Sequence, residues 1–112
     1  MKVFYGKSAN RPDVPCEAPV DVPLETALEI FRGLIPKRGF MGIELDSRFV
    51  LQILIRKRGI DVELLDTSIP AFDSCMADSQ FAESLIRAAA AGQNVFQIAR
   101  SSNYEWRHLD LA

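Results

Sequence analysis

Between Phe40 and Asp66 the chain alternates apolar and polar residues in three short runs, and parity restricts how those runs can pair. Met41, Ile43 and Leu45 share one side of the first run, Phe49, Leu51, Ile53 and Ile55 one side of the second, and Ile60, Val62 and Leu64 one side of the third. Because side chains alternate with period two, the first connection must hold an odd number of residues, and Asp46-Ser47-Arg48 supplies it. Leu45 then faces Phe49, and Ile43 faces Leu51. The second connection must be even, either Arg58-Gly59 or the whole of Arg56 to Gly59. The longer loop is favoured, built on a type I turn with Gly59 in the left-handed position. It pairs Ile55 with Ile60, Ile53 with Val62 and Leu51 with Leu64, giving an antiparallel meander over residues 40–66.

The same register specifies the opposite side of the sheet. Gly42, Glu44, Gln52, Asp61 and Glu63 lie there, together with Phe40, Val50, Leu54 and Leu65. Val50 sits across from Leu65 and Phe40 across from Leu54, so apolar residues meet across strands. Such a side is too apolar to face solvent alone and calls for a cover. The proline-rich segment, a second copy of the chain or a protein partner are the alternatives.

Around this meander the pattern is less regular. Val3-Phe4-Tyr5 suits an edge strand, and residues 6–23, with Pro12, Pro15, Pro19 and Pro23, read as an extended loop. Asp21 is a plausible N-cap for a helix carrying Leu24, Ala27, Leu28, Phe31, Leu34 and Ile35 on one face and ending before Pro36. Thr67 to Asp73 reads as a loop, and Asp78 or Ser79 to Ala91 as a second helix stopped by Gly92. Val95 to Ala99, bracketed by turn-forming residues, is expected as a strand, followed by a better strand over Tyr104 to Leu111. The chain is 112 residues long with 48% hydrophobic content, enough for one self-sufficient core. The expected fold is a single α+β domain over 1–112. It is a two-layer sandwich with a mainly antiparallel five- or six-stranded sheet and two helices on one face, in the order β-α-β-β-β-α-β-β.

A net charge of −2 gives no general attraction to nucleic acid or anionic lipid. Locally, the register brings Lys37 and Arg38 to the same end of the sheet as Arg56, Lys57 and Arg58. That basic pole is either a site for an anion, nucleic acid or acidic protein, or a solvated hairpin tip. No aromatic residues are interleaved there for base stacking. No apolar run approaches membrane-spanning length, and Met1 to Gly6 lacks a secretory h-region, so a cytoplasmic protein without membrane contact is expected. The two cysteines, Cys16 and Cys75, are far apart and the histidine is single, so neither metal nor cofactor is expected.

One thiol constellation merits weighing. Cys75, expected just before a helix, combined with His108 and Asp110 on one side of a strand, would make a nucleophile, a base and an orienting carboxylate. Asp73 and Asp78 oppose thiolate formation, and nothing in the spacing places Cys75 near His108; a buried structural cysteine and a surface histidine are the alternative. Tyr104 and Trp106, on one face of the tail, suit an interface or serve as core anchors. These residues together favour a small non-catalytic protein-interaction domain, an inhibitor, adaptor or subunit that binds a protein partner or its own copy. The alternatives are anion or nucleic-acid binding through the basic pole, and a small thiol-dependent enzyme.

Overall fold

The computed structural model describes residues Met1 to Leu111. It is an α+β fold with strands β1 (Lys2–Gly6), β2 (Val20–Asp21), β3 (Phe40–Glu44), β4 (Phe49–Arg56), β5 (Gly59–Asp66), β6 (Ala71–Ala77) and β7 (Arg107–Asp110). Three helices accompany them, α1 (Leu24–Arg32), α2 (Ser79–Ala90) and α3 (Val95–Arg100). The strands form one open sheet in the order β2-β1-β3-β4-β5-β6-β7, antiparallel throughout.

The meander has the register that parity demands. Ile43 pairs with Leu51, Phe40 with Leu54, Ile53 with Val62, Leu51 with Leu64, and Ile55 with Ile60. The ladder runs one pair further than expected, to Arg56 and Gly59, which leaves Lys57-Arg58 as a tight turn; Gly59 takes φ +153°, a positive value that favours glycine. The inward side chains of the sheet, among them Val3, Met41, Ile43, Leu51, Ile53, Val62 and Leu64, are buried against Ala27, Leu28 and Phe31 of α1 and Ala82, Leu85 and Ile86 of α2. Val95 and Ala99 of α3 complete the same core, so the helices lie on one side of the sheet.

Several elements depart from the sequence-based expectation, each for a local reason. Val95 to Ala99 is helix rather than strand: the Asn94 side chain accepts a hydrogen bond from the Gln97 N–H, and Val95 and Ala99, four apart, are the buried pair. Part of the expected loop Thr67 to Asp73 belongs to β6. Its inward residues include the small Ala71, Cys75 and Ala77, which leave only a faint apolar alternation. The sheet therefore has seven strands and the other layer three helices. Helix α1 ends at Arg32, with Gly33 as its cap, and Leu34 is buried from the turn beyond. Its N-cap is Pro23, because Asp21 sits in β2 and accepts a hydrogen bond from the terminal ammonium of Met1.

The proline-rich segment is a strap along the β1 edge. Val14 exchanges backbone hydrogen bonds with Tyr5, and Val20 and Asp21 pair with Val3 and Lys2. It shields an edge strand from pairing with another chain.

Candidate interaction face and end groove

The outer face of the sheet consists of three rows of side chains running across the strands. The row nearest the Lys57-Arg58 turn holds Phe40, Leu54, Asp61 and Met76; the far row holds Glu44, Val50, Leu65, Phe72 and Leu109. Between them runs Phe4, Gly42, Gln52, Glu63, Ser74 and Arg107. Phe40, Val50, Leu54, Leu65, Phe72 and Leu109 are half-buried, Met76 is 46% exposed, and none belongs to the helix-side core. The four outer residues expected from the sequence, Phe40, Val50, Leu54 and Leu65, are thus joined by Phe72, Met76 and Leu109. Leu109 belongs to the expected tail strand, whereas Phe72 and Met76 lie on β6, whose small inward residues leave its alternation faint.

At the β1 end of this face two Phe–Gly pairs are reciprocal. Phe4 lies opposite Gly42, and Gly6 opposite Phe40. A Cβ on either glycine would overlap the facing ring, so each phenylalanine occupies space its partner leaves empty. The signal is in the sequence as two Phe-X-Gly triplets, Phe4-Tyr5-Gly6 and Phe40-Met41-Gly42, which antiparallel pairing sets head to tail.

The centre of the face is acidic. The Ser74 hydroxyl, itself buried, donates to Asp61 Oδ1 at 2.7 Å, and Arg56 Nε stands 3.7 Å from Asp61 Oδ2. Glu63 has no salt bridge among the described residues and is half-buried between the apolar rows. Burial, reinforced by the neighbouring Asp61 charge, pushes its carboxyl up to about 7. A carboxyl in that state favours an approaching cation or hydrogen-bond donor, or keeps its proton.

The basic pole assembles where the register puts it. Gly39 accepts from the Ile55 N–H, which places Lys37 and Arg38 beside the Arg56, Lys57 and Arg58 turn; all five are exposed. Arg56 turns back toward Asp61.

At the opposite end, on the helix side, the β3–β4 turn, the β5–β6 loop and α3 enclose a groove of about 830 Å³. Its floor includes Phe49 and Phe96, whose rings meet edge to face at 5.0 Å, with the Arg48 guanidinium 4.9 Å from the first ring and Arg100 5.3 Å from the second. Each cation is also held by an aspartate: Arg48 makes a two-pronged pair with Asp66 at 2.7 and 2.6 Å, and Arg100 donates to Asp73 at 3.0 Å. The Arg48 fork and the Ser68 hydroxyl hold the Asp66 carboxyl far below the ordinary range. Asp73 also accepts His108 Nδ1 at 2.8 Å, and this bond raises the imidazole pKa. For Asp73 itself burial acts upward, but the bonds from His108 and Arg100 prevail and leave its carboxyl below the ordinary range. The imidazole partner is therefore chiefly Asp73, while Asp110 stands 3.6 Å from Nε2.

Cys75 lies within β6, not at a helix start, and is 2% exposed. Burial, then the Asp61 charge, pushes its thiol up to about 11, the opposite of what a nucleophilic cysteine requires. Tyr104 stacks on Phe81 with centroids 4.5 Å apart, and Trp106 Nε1 donates to the Ala99 carbonyl at 3.0 Å. Both are half-buried against the helix-side core. The described residues contain no cluster of three or more metal-ligating side chains, and no helix among them is long and apolar enough to cross a membrane.

Comparison with protein-family models, with curated proteins and with solved structures finds no match to this chain.

Proposed function

We propose that the chain is a non-catalytic protein-interaction domain, an inhibitor, adaptor or subunit, that docks its partner on the outer face of the sheet. One observation carries this reading. Among the described residues the sheet has helices on one side only, and its other side sets Phe40, Leu54 and Met76 and then Val50, Leu65, Phe72 and Leu109 in rows outside the core. Two apolar rows flank the central carboxyls, and the exposed Lys2, Arg56 and Arg107 stand at the margins, where interfaces commonly carry their charges. The central carboxyls make the face selective, because a partner must offer a donor or cation where Glu63 sits.

Site-specific photo-crosslinking in cells of the source organism tests the reading. Benzoylphenylalanine in place of Leu54 or Leu65 is expected to give discrete protein adducts, whereas the same group at Gln80 on the exposed start of α2 gives none. Equal adducts from both sides, or none from the sheet face, would overturn it.

A further inference from the structure

The outer face carries three rows that extend to either side of the strand midline. Resting on the interaction reading above, we propose that its occupant is a second copy of this chain, packed sheet to sheet about a two-fold axis parallel to the strands and midway between β4 and β5. That axis is the midline of the six strands β1, β3, β4, β5, β6 and β7 that carry the outer rows. The rotation sends each row onto itself in reverse. In the middle row Gln52 meets Glu63 of the other copy, and Phe4 meets Arg107. The Gln52 amide, already the cross-strand neighbour of Glu63 within each chain, is thus also set over Glu63 of the other copy, and a guanidinium over an aromatic ring. In the outer rows Val50 meets Leu65 and Phe40 meets Met76, while Leu54 meets Asp61, whose carboxylate is turned aside to Ser74 and Arg56. No like charges are opposed in any row.

The area is adequate for association and no more. With strands about 4.8 Å apart and same-face residues about 6.8 Å apart, six strands and three rows present roughly 600 Å² per copy. The total of roughly 1,200 Å² is the lower bound for a specific interface, so a dimer in the micromolar range is expected. Aligned face-to-face packing of two sheets is an ordinary geometry for such faces. Nucleic acid is a poor competitor for this surface because its centre carries carboxyls.

Sedimentation velocity of the full chain from about 2 to 200 µM tests the proposal. The weight-average mass is expected to rise from the 12.5 kDa monomer toward twice that value. Leu65→Lys, which sets an ammonium against Val50 of the other copy, is expected to weaken association at least tenfold. Gln52→Glu, which sets a second carboxylate opposite Glu63 of the other copy, should do likewise, and Gln80→Glu should leave it unchanged. Circular dichroism confirms that each variant is folded. A chain that stays monomeric at every concentration, or a dimer indifferent to both outer-face variants, would overturn the proposal. A monomer that still yields heterologous adducts from Leu54 and Leu65 would mean that only the occupant is wrong. A monomer with no adducts would remove the interaction reading as well.

Discussion

Replacing Glu63 by glutamine should stabilise the protein above neutral pH and leave it nearly unchanged in acid. Glu63 has an ordinary value of 4.5 that rises to about 7 in the fold, chiefly through burial and then through Asp61. Between these values the folded chain holds a proton that the unfolded chain has released, so stability falls as pH rises across the window, and the loss is complete above about 7. At about 1.4 kcal/mol for each pH unit, a fully shielded group would lose roughly 3 kcal/mol. Glu63 is only half-buried, and solvent screening reduces this to roughly 1–2 kcal/mol. Glutamine keeps the shape and hydrogen-bonding capacity without a titrating proton. Urea unfolding of both proteins by circular dichroism, at pH 4.5 and pH 8 and a few micromolar chain, measures the effect. The other acids and His108 are present in both, so their contributions largely cancel in the difference. The stability of Glu63→Gln relative to the parent should rise by roughly 1–2 kcal/mol from the lower to the higher pH. A difference that does not change with pH, or changes the other way, would refute the raised pKa of the half-buried Glu63 carboxyl.

Other expectations concern separate parts of the fold. Gly42→Ala drives a methyl into the Phe4 ring and should cost about 1–3 kcal/mol; combining it with Phe4→Ala should cost less than the sum of the single changes in chemical denaturation. Asp78→Ala removes the side-chain cap that receives the Phe81 N–H and should lower stability by about 1 kcal/mol, read from the urea midpoint. Iodoacetamide at pH 8 should modify Cys16, which is exposed, while Cys75 reacts only under denaturing conditions; mass spectrometry of digests would show a rapidly labelled Cys75 if its burial were wrong. An NMR titration should place His108 above its ordinary value of 6.5, and Asp73→Asn should bring it down. An unshifted parent imidazole would contradict the Asp73 contact.

The meander was legible because parity is a strict rule: once Met41, Ile43 and Leu45 are assigned to one side, every later pairing through Leu65 follows, and so do the basic pole and half of the outer face. The elements beyond it were legible only where hydrophobic contrast was strong. In α2, Leu85 and Ile86 announce the buried side. In β6 the inward Ala71, Cys75 and Ala77 are small, and the strand is set by pairing with β5 on one edge and β7 on the other rather than by its own pattern. Val95 to Ala99 has the composition of a strand, and one side-chain hydrogen bond from the Asn94 cap, together with the burial of Val95 and Ala99, decides for helix. The groove at the far end was out of reach for a related reason. Asp73, Arg100 and His108 come from three elements, two of them misassigned, and no spacing along the chain announces that they converge. The Phe-X-Gly triplets, by contrast, were in plain view.

The order of strands across the sheet also orders the way the protein is built. From Phe40 to Ala77 each strand is followed directly by its neighbour, so β3 to β6 assemble by short-range hairpin closures. β1 reaches β3 only across the strap and α1, and β7 reaches β6 only across α2 and α3. Those longer closures are slower and are opposed by more chain entropy. Amides of β4 and β5 should therefore exchange with solvent only when the whole domain opens, and those of β2 and β7 by fraying.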